Sequence, residues 1–220
     1  MVHFRPTSRS VFGDSDVTRA TATKSDIRRQ QVLDAALDVF ARDGYGNAAV
    51  DDIARASSTS KGGVYFHFPS KQALFLALLD EASGLLLGRV ERAMDAEPDP
   101  LAKGDAALRA ALSTFGKNRT LARLLLVEAL GAGKEFNARL TALHSDFADL
   151  IARHLDEAVA AGALPPHDTR LAGVAWFGAV NQVVTRWVLT GEPRHLDDVY
   201  PALRALLMHG VAGAGSEDRT

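Results

Sequence analysis

The sequence has no cysteine among its 220 residues, which excludes a disulfide framework, a thiolate zinc site and thiol redox sensing. It has no long apolar run, so it offers no segment near the roughly 20 residues a membrane helix needs. Its N-terminus lacks the continuous apolar stretch of a signal peptide. The expectation is a soluble, cytoplasmic protein that does not enter a membrane. Aromatic residues are few, at 7%, so a cavity walled mainly by rings is not available. Strong charge is lacking too. The net charge is −2 and the isoelectric point about 6.4, an average that speaks against nucleic acid as a partner. The average hides a split. Residues 1–71 carry 10 Lys+Arg against 8 Asp+Glu, and residues 72–220 carry 15 against 19. A mildly basic head precedes an acidic remainder, and the field that a polyanion meets is local.

Period-2 alternation with β-branched enrichment is also missing. Helical spacing takes its place, and the reading is an all-α chain of about nine helices. Residues 1–25, rich in Ser, Thr, Arg and Asp, read as a flexible N-terminal arm carrying Arg5, Arg9, Arg19 and Lys24. Leu33, Ala36, Leu37, Phe40 and Ala41 then mark an amphipathic helix over 26–43, ended by Gly44. A short helix over 50–56 follows, then a Ser-rich break and a third helix over 61–66 capped by Ser60. Ser70 caps a longer helix. Further helices are expected over 101–115, 118–131, 134–161, 168–190 and 196–211. A helix-turn-helix domain over 26–72 and a helical domain over 73–220 result.

Catalytic patterns fail one by one. Gly131-Ala-Gly133-Lys134 lacks the upstream Gly and following Ser or Thr of a phosphate loop, and no GxGxxG, GxSxG or HExxH occurs. His154 and Glu157 share a helix face without a second histidine to complete a metal triad. No enzyme activity, cofactor or metal is expected.

The informative segment is 28–75. Helix, short helix, Ser-rich turn and short helix within about 45 residues is a helix-turn-helix with a support helix. Lys61 sits on the first turn of the third helix, where residues face base edges. Gly62 and Gly63 permit close backbone approach at a cost of about 1 kcal/mol each in helix propensity. Tyr65 and His67 can donate to phosphate oxygens, Phe66 lies beside them, and Lys71 opens the next helix. Arg28 and Arg29 are placed for backbone contact. Leu33, Ala36, Phe40, Gly44-Tyr45, Ile53-Ala54, Ser60-Lys61-Gly62, Tyr65, Phe68, Lys71 and Leu74, in this order, resemble the N-terminal domain of the TetR family of transcriptional regulators. The resemblance implies phosphate contacts at Tyr65, His67 and Lys71, and a reading surface that includes Lys61 and Gly63. The chain departs from the family pattern at Ala48-Ala49, at Asp51-Asp52 and at Ser58-Thr59. These departures support an alternative, a helical adaptor with weakened DNA binding.

Beyond residue 73 the resemblance holds in outline. The last two helices are apolar on more than one face. Val174, Gly178, Val183 and Trp187 on one, with Val199, Leu203, Leu206 and Leu207 on the other, are candidates for a homodimer interface, with an intrachain core as the competing reading. A cavity for a small, apolar effector is expected among Phe115, Leu121, Leu125, Phe147, Ile151, Trp176, Phe177 and Asn181, with Glu128 and His144 as polar contacts. The resulting expectation is a ligand-responsive repressor that binds a near-palindromic operator in double-stranded DNA as a dimer.

Overall fold

The computed structural model describes residues 23–213. Ten α-helices follow one another: α1 (Lys24–Asn47), α2 (Val50–Ala56), α3 (Lys61–His67), α4 (Lys71–Asp95), α5 (Pro100–Lys117), α6 (Arg119–Arg123), α7 (Ala129–Gly131), α8 (Asn137–Ala160), α9 (Thr169–Thr190) and α10 (Tyr200–Gly213). A π-helical turn, Leu124–Glu128, joins α6 to α7 without a break, so the described residues form nine rods and no strand. The all-α fold class is as expected. Arg5, Arg9 and Arg19 lie outside the described residues.

Thr23 starts α1. Its hydroxyl accepts from the Asp26 amide, and the Asp26 carboxylate accepts from the Thr23 amide, so two otherwise unpaired donors are satisfied at once. The arm expected over 1–25 therefore gives way to helix two residues earlier, and Lys24 lies in the first turn. Gly44 adopts a positive φ of 76°, as a helix terminator should, but one further turn continues to Asn47. The helix is kinked there rather than ended.

The chain divides within α4 into one unit ending at Ala82 and another beginning at Ser83. The boundary expected after residue 72 falls in the first turn of α4. Packing carries the first unit further, because Leu74, Phe75, Leu78 and Leu79 are fully buried in its core beside Leu33, Leu37, Phe40 and Ile53. Phe40 meets Phe75 edge-on at 4.9 Å, and Tyr45 closes on Phe75 at the same distance.

In the second unit α8 and α9 form an antiparallel pair. Thr169 donates to Asp156 at 2.7 Å, Gly173 lies against Ala148 and Ala152, and Phe177 reaches His144. Gly191, at φ 80°, ends α9 as the sequence suggested. Arg119 in α6 then covers that end, donating to the carbonyls of Trp187 and Val188 at 3.1 and 2.8 Å. Tyr200 and Arg204 of α10 both donate to Asp105 of α5, and Arg109 lies over the Tyr200 ring.

Candidate nucleic-acid interface and ligand cavity

Helices α2 and α3 are each seven residues long and are held by local polar chemistry. The Ser60 hydroxyl accepts from the Gly63 amide at 3.0 Å and caps α3. Ser57 is buried and donates back to the Ile53 carbonyl at 2.8 Å, which ends α2. Ser58 then takes a positive φ of 53°, so the turn is made without the glycine such a conformation favours. Val64 and Phe68 turn inward and anchor α3, which leaves the opposite side of α3 to solvent.

That outer side carries Lys61, Gly62, Tyr65 and Phe66. Phe66 is 81% exposed. His67, half-buried, meets Phe66 edge-on at 5.1 Å. The two glycines differ. A Cβ on Gly63 would stand 2.5 Å from the Thr59 hydroxyl, so Gly63 serves the turn. A Cβ on Gly62 would meet nothing closer than 3.9 Å, so nothing within the chain explains it.

The basic residues are not equally available. Lys61 donates to Asp51 of α2 at 2.9 Å, and this hydrogen bond raises the lysine pKa. Lys71 is turned back, donating to the Gly46 carbonyl at 3.2 Å and lying 4.7 Å over the Tyr45 ring, and burial lowers its pKa. Arg29 lies 5.2 Å over the Phe68 ring, whereas Arg28 is exposed. Asp52 pairs with Arg55 at 2.8 Å.

A second feature lies within the second unit. A cavity is walled by α5, α8, α9, α10, the π turn and the part of α4 from Ser83 to Met94. Its lining runs along α5 from Pro100 to Phe115 and along α8 from Leu140 to Ala158, about 22 and 27 Å of helix at 1.5 Å per residue. Its volume is about 130 Å³, and it opens to solvent at a mouth. Among the described residues no Lys, Arg, Asp or Glu lines it; the polar lining is Ser83, His144, His154 and Asn181. Burial lowers the His144 pKa, which favours the neutral imidazole. Thr185 donates to the Asn181 carbonyl oxygen at 3.1 Å, so the Asn181 amide nitrogen remains the donor end.

Comparison with known proteins decides what these two units are. The sequence profile of the bacterial regulatory proteins of the tetR family matches residues 32–78, and that of the tetracyclin repressor-like C-terminal domain matches residues 97–211, more than half of the chain. The chain belongs to the TetR family. The fatty acid metabolism regulator protein of Bacillus subtilis is 24% identical over 182 residues, 82% of this chain and 94% of the relative. The solved fatty acid degradation regulator FadR of Bacillus halodurans is 26% identical with a TM-score of 0.77, over 82% of this chain and 97% of that one. A FadR structure from Bacillus subtilis in complex with stearoyl-CoA shares the fold at 24% identity and a TM-score of 0.77, over 82% and 98%. All three are named as regulators, and the last as a transcriptional regulator. As a member of the TetR family, this chain is a ligand-responsive DNA-binding regulator.

The TetR reading of the cavity is corrected at two residues. Leu121 is sealed in the core and Glu128 is drawn to Arg123 at 2.9 Å, so neither lines the space. Phe115, Leu125, His144, Phe147, Ile151, Trp176, Phe177 and Asn181 do line it. Met94, Gly104 and Met208 line it too, and a glycine or a methionine at helical spacing carries no signal that separates a cavity wall from packed core; His154, which the sequence placed on a helix face with Glu157, also turns to the cavity. The interface reading is corrected as well. Trp187, at 5% exposure, and Leu203 and Leu207 are buried within this chain, and Val183 and Val199 are half-buried. Val174, Gly178 and Leu206 are exposed, and with Leu171 and Leu189 they mark an uncovered apolar stripe. The family departures have local accounts. Ala48 is buried at the end of α1, and Asp51 is neutralised by Lys61. No helix among the described residues is long and apolar enough to cross a membrane.

Proposed function

We propose that this protein is a dimeric repressor of genes for long-chain acyl metabolism, released from a near-palindromic operator by an acyl chain carried on coenzyme A. The observation that carries this reading is the long, uncharged lining of the cavity. An apolar chain gains about 0.8 kcal/mol for each methylene it buries, whereas a buried carboxylate without a cation partner is costly. The effector therefore enters with an uncharged part, as an esterified or thioesterified chain does, and keeps any charged group at the mouth. The stearoyl-CoA bound by the Bacillus subtilis relative is of that class.

Helix α4 supplies the link between effector and DNA. Leu74, Phe75, Leu78 and Leu79 belong to the core of the DNA-binding unit, while Ser83, Leu86, Val90 and Met94 line the cavity on the same helix. A chain that fits one position of α4 better than another biases the separation of the two DNA-binding heads, provided its affinity differs between them. Contacts with operator DNA are proposed for Arg28, Arg29, Lys61, Gly62, Gly63, Tyr65, Phe66, His67 and Lys71. The exposed stripe of Leu171, Val174, Gly178, Leu189 and Leu206 is the proposed self-association face.

The test is a gel shift on upstream DNA of the source genome at 150 mM salt, with hexadecanoyl-CoA and free hexadecanoate as additives. Release by the thioester and not by the free acid is expected. Release by neither removes the acyl effector.

A further inference from the structure

Asp51 and Lys61 form an ion pair, and the pair is in an unusual place. Lys61 opens α3, the helix whose first turn faces base edges in a helix-turn-helix. Asp51 comes from the first turn of α2 and meets the Lys61 ammonium at 2.9 Å, with both side chains more than half exposed. The other carboxylate of that turn, Asp52, is held by Arg55. Next to Lys61 the surface is kept low by Gly62, whose missing side chain nothing in the chain requires.

An acid facing DNA has two partners of opposite sign. Phosphates repel it. A base edge that offers a hydrogen-bond donor attracts it, and in the major groove the cytosine N4 amine is such a donor. Guanine, paired with that cytosine, offers the adjacent acceptors O6 and N7, which suit a lysine ammonium. An ammonium and a carboxylate already side by side thus match the edge of one G·C pair from guanine to cytosine.

We propose that Lys61 and Asp51 together read one G·C pair in each half-site, with Lys61 donating to guanine O6 and N7 and Asp51 accepting from cytosine N4. The proposal rests on the DNA-binding reading of α2 and α3. It gives Asp51 a second effect. Until the base pair is met, Asp51 cancels the charge of Lys61, so the head binds arbitrary DNA less tightly than its lysine count suggests. Affinity is exchanged for selectivity at one position.

The experiment selects sequences from a pool of randomised duplexes at 150 mM salt, using the full chain as wild type, Asp51→Asn and Lys61→Gln. Circular dichroism confirms that each variant is helical. The wild type is expected to retain an inverted repeat with one invariant G·C pair per half-site. Asn pairs well with adenine N6 and N7, so Asp51→Asn is expected to lose that preference by about tenfold or more and to admit A·T there. Asp51→Asn is also expected to bind a scrambled duplex more tightly, with the salt dependence steeper by about one charge. Lys61→Gln is expected to relax the same position. An unchanged preference in both variants overturns the pair reader while leaving the DNA-binding reading intact. If the wild type retains no inverted repeat at all, both readings fail.

Discussion

Gly173 lies against the carbonyl oxygen of Ala148, so close that a Cβ on the glycine would stand 2.5 Å from it. This approach brings α9 onto the backbone of α8 and fixes the distance between two walls of the cavity. The neighbours are backbone atoms, which cannot rotate away as a flexible side chain would. Gly173→Ala is therefore expected to destabilise the protein by about 1–3 kcal/mol as overpacking, in spite of the better helix propensity of alanine. Denaturant unfolding checks it. The midpoint should fall, and Gly84→Ala, exposed in α4 with nothing within 4 Å of its Cβ, should leave the midpoint equal or higher.

Ser58 gives a prediction of opposite sign. Its φ of 53° is left-handed, which costs a non-glycine residue about 1–2 kcal/mol, and glycine recovers this less about 0.4–1 kcal/mol of unfolded-state entropy. Ser58→Gly is expected to stabilise the protein by roughly 0.5–1 kcal/mol, seen as a higher thermal midpoint. A lower midpoint would show that the serine side chain holds the turn.

The contrast between these residues explains what was legible. Helix ends were readable because their causes are local: Ser60 caps α3 through its own hydroxyl, and Gly191 ends α9 through its own φ. The outward side of α3 was readable for the same reason, since two turns of helix anchored by Val64 and Phe68 leave few ways to orient it. The orientation of α9 and α10 was not readable. Both are apolar on two faces, so periodicity could not say that Trp187 and Leu203 turn inward while Val174 and Leu206 turn outward. The Lys61–Asp51 pair was also out of reach, because it joins two helices across ten residues and a turn.

Acid should act on the second unit through Asp105. Burial by itself pushes the Asp105 carboxyl up, but hydrogen bonds from Tyr200, Arg109 and Arg204 outweigh it and hold the pKa below its ordinary 3.8. A carboxyl depressed in the folded state contributes stability that is complete above its unfolded value and is lost as pH falls through the folded one. The thermal midpoint should therefore fall as pH drops below about 4, and part of this slope should be absent in Asp105→Asn. An identical acid slope in that variant would remove the α5–α10 anchor from the account.

The exposed stripe on α9 and α10 makes a prediction about assembly. Val174 is 59% and Leu206 68% exposed in the single chain, and apolar side chains in such a row call for a cover. Val174→Glu with Leu206→Glu should leave the fold intact, since neither side chain is in the core. Sedimentation should then report a monomer, and operator binding should weaken, because one head alone engages a single half-site. A wild type that sediments as a monomer at micromolar concentration would end the dimer reading.

Filling the cavity separates the effector from the DNA. Ala111 lines the cavity on α5, so a larger side chain there meets empty space before it meets packed atoms. Ala111→Phe should therefore fold with little loss of stability and occupy part of the path an acyl chain would take. If the acyl reading is right, hexadecanoyl-CoA should bind the variant at least about tenfold more weakly, a cost of about 1.4 kcal/mol. Operator binding without effector should be unchanged, since no residue of the helix-turn-helix is touched. The variant then acts as a repressor that the effector no longer releases, and a gel shift titrated with hexadecanoyl-CoA reads this directly. Release at the wild-type concentration would place the effector elsewhere on the chain.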